Sequence, residues 1–288
     1  MKLYPIQCGN FKLDGGAMFG VVPKSLWERT NPADSKNLIE LGTRSLLVED
    51  GKKLILIDCG LGNKQDEKFF GHYSLYGDES LDKNLKKFGF VRDDITDVFL
   101  THLHFDHCGG AIEWNDDKSG YRPAFKNAQF WTNENHWQWA TEPNPREKAS
   151  FLKENILPMQ ESGQLQFLPT PKTGNYGFAP DLKMDVIFVD GHTEKQMLPV
   201  IQYQEKTIVF AADLIPTAGH IPQVYVMGYD TRPLLTMEEK GKFLKQCVEN
   251  EYLLFFEHDA HHELASLKMT EKGVKLDETF SFNEVFGY

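Results

Sequence analysis

The chain has few cysteines, fewer basic than acidic residues and no long apolar run. Its four cysteines lie at positions 8, 59, 108 and 247 with no CxxC spacing, so we expect reduced thiols in a cytoplasmic protein. A net charge of −11 argues against nucleic acid as a partner, because phosphate binding needs basic surface. Neither a secretory signal nor an apolar run of the ~18 residues that span a bilayer is evident, so we expect no membrane segment.

What the chain does contain is a series of apolar, β-branched runs that end in turn residues. They predict strands over residues 45–48, 54–58, 97–102, 129–132, 165–168, 185–190, 198–203, 207–212 and 253–257. Helical patterns cover 80–88, 146–160 with an early end at Pro158, and 236 to about 250 behind a capping-box spacing. Strands interleaved with helices indicate an α/β layered protein. We find no repeat or linker, and so predict a single domain over residues 1–288.

The most informative segment is 101–110, which reads THLHFDHCGG and follows an apolar run. Alternation along a strand brings His102 and His104 out on the same side. A turn at the two glycines then returns Asp106 and His107 to the same space. Imidazole nitrogen and carboxylate oxygen suit zinc and its neighbours. These four residues exceed what one open catalytic metal requires, so the segment indicates two metals.

A structural explanation of these residues also has to be considered. A lone histidine at a strand end is usually only a hydrogen-bonded core or surface residue. Four ligand-type residues in one loop are harder to explain in that way, because burying each without a partner would cost roughly 1–3 kcal/mol. The neighbouring Cys108 is expected to pack in the core rather than bind metal.

Three further ligand-type residues lie at the ends of predicted strands. His192, Asp213 and His258 each follow an apolar run. Singly they are weak evidence, since buried strands often end in a polar residue, but their order and spacing strengthen one another. His261 and His262 follow closely, and we choose His258 because it directly leaves the strand.

Taken together, these residues resemble the metallo-β-lactamase-fold hydrolases. The match runs over most of the chain and comprises His102, His104, Asp106, His107, His192, Asp213 and His258. The resemblance implies an αβ/βα four-layer sandwich, with two mixed sheets flanked by helices. It also implies two divalent metal ions. One would be held by His102, His104 and His192, the other by Asp106, His107 and His258, and Asp213 would bridge them.

The chemistry expected of such a centre follows from its charge. Two divalent ions about 3.5–4 Å apart can share a water and present it as hydroxide at neutral pH. Asp106 and Asp213 offset only part of the metal charge, so an anionic transition state is favoured. Zinc is the first expectation, although manganese, iron and cobalt accept the same ligands. Asp58, at the end of its own strand, is expected either to orient a ligand histidine or to cap a turn.

Within this superfamily the chain looks most like the quorum-quenching acyl-homoserine lactonases and the methyl-parathion-hydrolase-like proteins. The segments AADLIPT at 211–217 and VMGYD at 226–230 carry this closer resemblance. The first hypothesis is therefore a hydrolase that opens an acyl-homoserine lactone, a small-molecule substrate. A phosphotriester or aryl-ester hydrolase is the second, and a non-catalytic metal-binding module is the third. A homodimer is a base-rate expectation only.

One departure from the lactonase pattern concerns the residue that contacts substrate. The best-known lactonases place a tyrosine three residues after the bridging aspartate, where this chain has Pro216. Tyr225, Tyr229 or His220 would then have to donate to the substrate carbonyl. We predict Asp106, His220 and Tyr229 as the catalytic residues.

Overall fold

The computed structural model describes residues 1–287. The chain forms two compact units, the first made of Met1–Asn10 and Thr43–Lys183, the second of Phe11–Gly42 and the residues from Met184 on. The single domain over 1–288 stays a prediction, and its last residue lies outside the described residues.

The strands are, in chain order, β1 (Lys2–Asp14), β2 (Leu38–Asp50), β3 (Lys53–Ile57), β4 (Asp97–Phe99), β5 (Ile112–Trp114), β6 (Tyr121–Pro123), β7 (Gln129–Asn133), β8 (Leu165–Leu168), β9 (Tyr176–Ala179), β10 (Met184–Val189), β11 (Gln196–Tyr203), β12 (Lys206–Phe210), β13 (Leu253–Phe255), β14 (Leu264–Thr270) and β15 (Gly273–Phe280). The helices are α1 (Gly15–Phe19), α2 (Lys24–Trp27), α3 (Glu67–Gly71), α4 (Leu81–Lys87), α5 (Phe105–Cys108), α6 (Glu134–Thr141), α7 (Lys153–Glu161), α8 (Pro233–Glu249) and α9 (Phe282–Phe286). Within residues 1–287, no helix is both long and apolar enough to cross a membrane.

The sheet of the first unit has the strand order β1-β2-β3-β4-β7-β8. Strands β3, β4, β7 and β8 run parallel, and β2 pairs antiparallel with β3. Strands β3 and β4 are almost entirely buried, as expected of parallel strands covered on both faces. Parallel strands end at the same edge of a sheet, so the residues that follow β3 and β4 emerge side by side.

In the second unit the strand order is β15-β14-β13-β12-β11-β10. Strands β12 and β13 are parallel, whereas β10 pairs antiparallel with β11 and β11 with β12. Strands β10, β12 and β13 therefore point the same way. Their carboxyl ends lie at one edge, where loops held by a rigid sheet can carry polar groups.

The nine predicted strands are confirmed, although β4, β12 and β13 end two or three residues earlier than expected. The helix predicted over 146–160 is wrong at both ends, because α7 begins at Lys153 and runs through Pro158 to Glu161. The residues before it form a turn in which Glu147 accepts a hydrogen bond from Asn144. Pro158 is buried beside its helical neighbours, and this packing offsets its missing N–H.

The capping box predicted at Thr236 is also wrong. Helix α8 begins earlier, at Pro233, and Thr236 lies inside its first turns. The Glu239 carboxylate instead accepts hydrogen bonds from the backbone N–H groups of Asp190 and Gly191, at 2.9 Å each. The helix therefore supports the loop that follows β10.

Candidate metal centre

In the first unit, Asp58 anchors the loop that follows β4. Its carboxylate accepts hydrogen bonds from the Thr101 backbone N–H at 2.8 Å and the Thr101 hydroxyl at 2.6 Å. It also accepts from Nδ1 of His107 at 3.0 Å. All three side chains are buried. Asp58 thus does both things the sequence suggested, since it caps the turn and orients a histidine.

That bond decides which nitrogen of His107 is available. Because Nδ1 donates to a carboxylate, a neutral His107 has its lone pair on Nε2. This Nε2 lies 3.9 Å from Oδ1 of Asp106. A histidine held from behind by a carboxylate is the usual arrangement around metal ligands.

His102 and His104 face each other across a short gap. Nε2 of His102 lies 3.0 Å from Nδ1 of His104. The Thr101 hydroxyl gives its proton to Asp58, so it accepts from His102 Nδ1 at 3.1 Å. Nε2 of His104 is 3.5 Å from Oε1 of the buried Glu147.

This pair fits a shared cation. With each outer nitrogen turned to an oxygen, the lone pairs of two neutral rings point at one another. Nitrogens bound to one tetrahedral zinc at 2.0–2.1 Å would be roughly 3.3 Å apart, close to the distance observed between His102 and His104.

The glycines after the histidines are required by close backbone packing. A Cβ on Gly109 would lie 2.1 Å from the Leu61 carbonyl oxygen, and one on Gly110 would lie 2.1 Å from that of Cys59. Cys108 is buried in the apolar core of the first unit, and its Sγ contacts the Leu103 carbonyl. Its predicted packing role is confirmed.

In the second unit, Asp213 lies between two histidines. Its Oδ2 is 3.1 Å from Nε2 of His192, and its Oδ1 is 3.1 Å from Nε2 of His258. Nδ1 of His192 donates to Asp230 at 2.8 Å, and Nδ1 of His258 donates to the Gly42 carbonyl at 2.8 Å. Each carboxylate oxygen of Asp213 therefore faces a different imidazole.

This arrangement also suits cations. The N–H of each neutral ring is already used at Nδ1, so the Nε2 lone pairs face carboxylate oxygens, an arrangement that a positive charge between them would stabilise. A carboxylate with one oxygen directed to each of two histidines is suited to bridge two ions. The backbone before it is unusual, since Ala212 has φ +41°, and such strain is often found at functional sites.

His258 differs from the neighbouring histidines His261 and His262 in its surroundings. His258 is buried, whereas the side chain of His261 is 64% exposed and lies 3.6 Å from Glu40. The backbone N–H groups of His261 and His262 both donate to the Asp259 carboxylate.

The structure places the predicted catalytic residue His220 in the interior of the second unit. Its Nδ1 accepts from the Thr217 hydroxyl at 2.8 Å, and its Nε2 donates to the Met18 carbonyl at 3.0 Å. The ring stacks on Phe19 with centroids 4.1 Å apart. Burial, and to a smaller extent Lys240, lower the pKa of His220 to about 3. Donation to a substrate would therefore require breaking an existing bond.

The sequence did not predict the surroundings of three further residues, Tyr229, Asp230 and Glu147. Tyr229 is 41% exposed, in the turn that ends at Asp230. The sequence did not identify Asp230 as a partner of His192, or Glu147 as a neighbour of His104. The segment VMGYD contains Asp230, but nothing in its pattern indicates a contact with His192.

Comparison with known proteins relates this architecture to one superfamily. The family model described as the metallo-beta-lactamase superfamily matches residues 38–246. An N-acyl homoserine lactonase from Bacillus thuringiensis is 23% identical over 275 residues, which cover 91% of this chain and 94% of the relative.

Solved structures show the same likeness over nearly the whole chain. A probable metal-dependent hydrolase from Staphylococcus aureus has a TM-score of 0.85 at 27% identity, covering 97% of this chain and 96% of its own. The dizinc quorum-quenching lactonase AidC, in complex with the product N-hexanoyl-L-homoserine, has a TM-score of 0.76 at 22% identity, covering 97% and 95%. The predicted metallo-β-lactamase fold is confirmed, and the chain belongs to the metallo-β-lactamase superfamily as a metal-dependent hydrolase.

Proposed function

We propose that this protein is a lactonase that opens acyl-homoserine lactones and uses two divalent ions, with zinc as the expected metal. The proposed ligands are those implied by the family pattern: His102, His104 and His192 for one ion, Asp106, His107 and His258 for the other, and Asp213 for both. The observation that carries the proposal is the position of Asp213, whose two oxygens each lie 3.1 Å from a histidine Nε2.

The chain's own residues supply the orientation of this centre. Asp58 holds His107, and the Gly42 carbonyl holds His258, so these rings meet an ion already aligned. Bound divalent ions would lower the pKa of water and polarise the substrate carbonyl. The rigid sheet edges below the loops would keep the ligands in place as charge develops on the substrate.

A hydrogen-bond donor to the substrate carbonyl has to come from outside position 216. We propose Tyr229, because this residue is 41% exposed and lies in a turn directly after Gly228. His220 is the weaker candidate, since both its ring nitrogens are engaged. Asp106 is proposed to act through metal binding.

The test is hydrolysis of an acyl-homoserine lactone, a phosphotriester and an aryl ester by zinc-loaded protein. His104→Ala should abolish lactone turnover and lower the zinc content, because it removes one nitrogen of the facing pair. His72→Ala, which replaces an exposed histidine of the same unit, is the matched control and should retain activity. Turnover of the phosphotriester or aryl ester alone would contradict the lactonase assignment and favour the methyl-parathion-hydrolase type. Metal binding without turnover of any substrate would favour a non-catalytic module.

The substrate donor is tested by a matched pair of variants. Tyr229→Phe should lower kcat for the lactone, by about tenfold or more if a hydrogen bond to the developing oxyanion is lost. Tyr225→Phe should change it little, and the opposite result would assign the role to Tyr225. If the lactone is the substrate, quorum quenching by a cytoplasmic enzyme is the role we propose.

A further inference from the structure

We propose that Asp230 is a positioning residue of the metal centre, which holds the imidazole of His192 in the rotation and tautomer that metal binding requires. This inference rests on the metal site of the proposed function. It assigns a role to a carboxylate that is not itself a proposed ligand and that precedes α8.

The contact between the two side chains is short and enclosed. Oδ1 of Asp230 lies 2.8 Å from Nδ1 of His192, and each residue is only 2% exposed. An ionised carboxylate can only accept, so Nδ1 carries the proton and Nε2 keeps its lone pair. That lone pair points toward Asp213, whose Oδ2 is 3.1 Å away.

The backbone around His192 is held independently of Asp230. The Thr231 N–H donates to the His192 carbonyl at 3.2 Å, and the Arg232 N–H donates to the Gly191 carbonyl at 2.9 Å. Glu239 accepts from the Gly191 N–H from the other side. Loss of the Asp230 carboxylate would therefore release the ring while the loop keeps its path, which separates a positioning role from a purely structural one.

A second buried ionisable side chain, Lys240, interacts electrostatically with Asp230. Lys240 is buried in the same unit, and its Nζ donates to the Tyr225 carbonyl at 2.7 Å. Burial lowers the pKa of Lys240 to about 7, and Asp230 acts in the opposite direction. The two side chains thus interact electrostatically in a medium of low dielectric constant. Asp230 therefore interacts with two buried side chains, those of His192 and Lys240.

The same device occurs in the first unit, where Asp58 accepts from Nδ1 of His107 at 3.0 Å. A carboxylate partner raises the basicity of the metal-binding nitrogen of an imidazole and fixes the orientation of the ring. The repetition of this arrangement on a second histidine, in a loop unrelated in sequence, supports the assignment of Asp230.

The test measures cobalt binding, so that it does not depend on activity. Asp230→Asn and Asp230→Ala are titrated with Co²⁺ against a competing chelator, and the visible absorption of the bound ion is recorded. Cobalt affinity should fall by about 10–100-fold with an altered absorption band. Asp230→Asn should lose less than Asp230→Ala, because its amide oxygen can still accept from the ring.

The matched control is Asp190→Asn, which removes the same charge from the loop that carries His192. Asp190 is partly exposed and pairs with Lys195 rather than with a ligand histidine. Its substitution should change cobalt affinity by no more than a few-fold. Circular dichroism and the midpoint of urea unfolding report whether each variant is folded.

The outcomes separate this inference from the proposed function. If folded Asp230→Ala binds cobalt as tightly as the wild type, or if Asp190→Asn weakens binding equally, the positioning role is overturned. If the wild type binds cobalt but hydrolyses no lactone, the substrate assignment fails while the Asp230 result still stands. Wild-type protein that binds no cobalt would overturn both.

Discussion

Acid should destabilise the folded protein through one buried histidine, His220. Its ring is held by Thr217 and the Met18 carbonyl in the interior of the second unit. Burial, and to a smaller extent the nearby Lys240, lowers the pKa of His220 to about 3. In the unfolded chain a histidine titrates near 6.5. The folded state therefore resists a proton that the unfolded state accepts.

The change in the free energy of unfolding with pH follows from the difference in the pKa of His220 between the folded and unfolded states. Between pH 6.5 and about 3 the unfolded state binds more protons, so the free energy of unfolding falls as the pH is lowered. The stability is fully present above pH 6.5. From pH 7 to pH 5 the loss is about 2 kcal/mol, since each unit below 6.5 costs 1.36 kcal/mol. The full loss, reached near pH 3, is about 5 kcal/mol.

His220→Gln isolates this contribution. The glutamine amide can still donate to the Met18 carbonyl but does not titrate, so its stability should fall about 2 kcal/mol less than that of the wild type between pH 7 and pH 5. Urea unfolding at pH 5, 6 and 7 measures the difference. His72→Gln, an exposed site, should follow the wild-type curve. Parallel pH curves for wild type and His220→Gln would refute the reasoning.

Three other predictions concern charge, packing and metal. Burial lowers the pKa of Lys240 to about 7, so wild-type stability should rise by about 2 kcal/mol from pH 7 to pH 9, a slope that Lys240→Met should remove in urea titrations. Gly109→Ala should lower the free energy of unfolding by about 1–3 kcal/mol, because its Cβ would lie 2.1 Å from the Leu61 carbonyl oxygen. The control Gly71→Ala, whose Cβ would meet nothing within 4 Å, should be neutral or slightly stabilising. Equal unfolding temperatures for the two variants in calorimetry would contradict this. Removal of metal by a chelator should lower the unfolding midpoint, and added Zn²⁺ should restore it; an unchanged midpoint would argue against metal binding to the folded state.

The apolar strands and the ligand-type residues that follow them could be predicted from sequence, because both are encoded locally. A run such as the one before His102 is buried wherever it folds, and a histidine directly after it emerges at the sheet edge. Strands β14 and β15 were not predicted. Their residues are mostly exposed or half-buried, so no hydrophobic alternation indicates them, and pairing with each other stabilises them instead.

The hydrogen-bond partners of the proposed ligand histidines were predicted only in part. Asp58 was recognised because it ends an apolar strand. Asp230 contacts a histidine 38 residues earlier in the chain, and Glu147 lies near His104 through a turn that the helical pattern of 146–160 concealed. Such contacts depend on the path of the chain, which no local pattern of residue types contains.

The carbonyl oxygen of Gly42, which accepts from Nδ1 of His258 at 2.8 Å, has a consequence for mutational scanning. Two other histidines depend on the side chains of Asp58 and Asp230, so a library of substitutions should show sharp losses at those positions. The partner of His258 belongs to the main chain and is present whichever residue occupies position 42. A scan at position 42 would therefore report only which residues fit the backbone conformation of β2. The contact that aligns His258 would not be detected, because no substitution at this position removes the carbonyl oxygen.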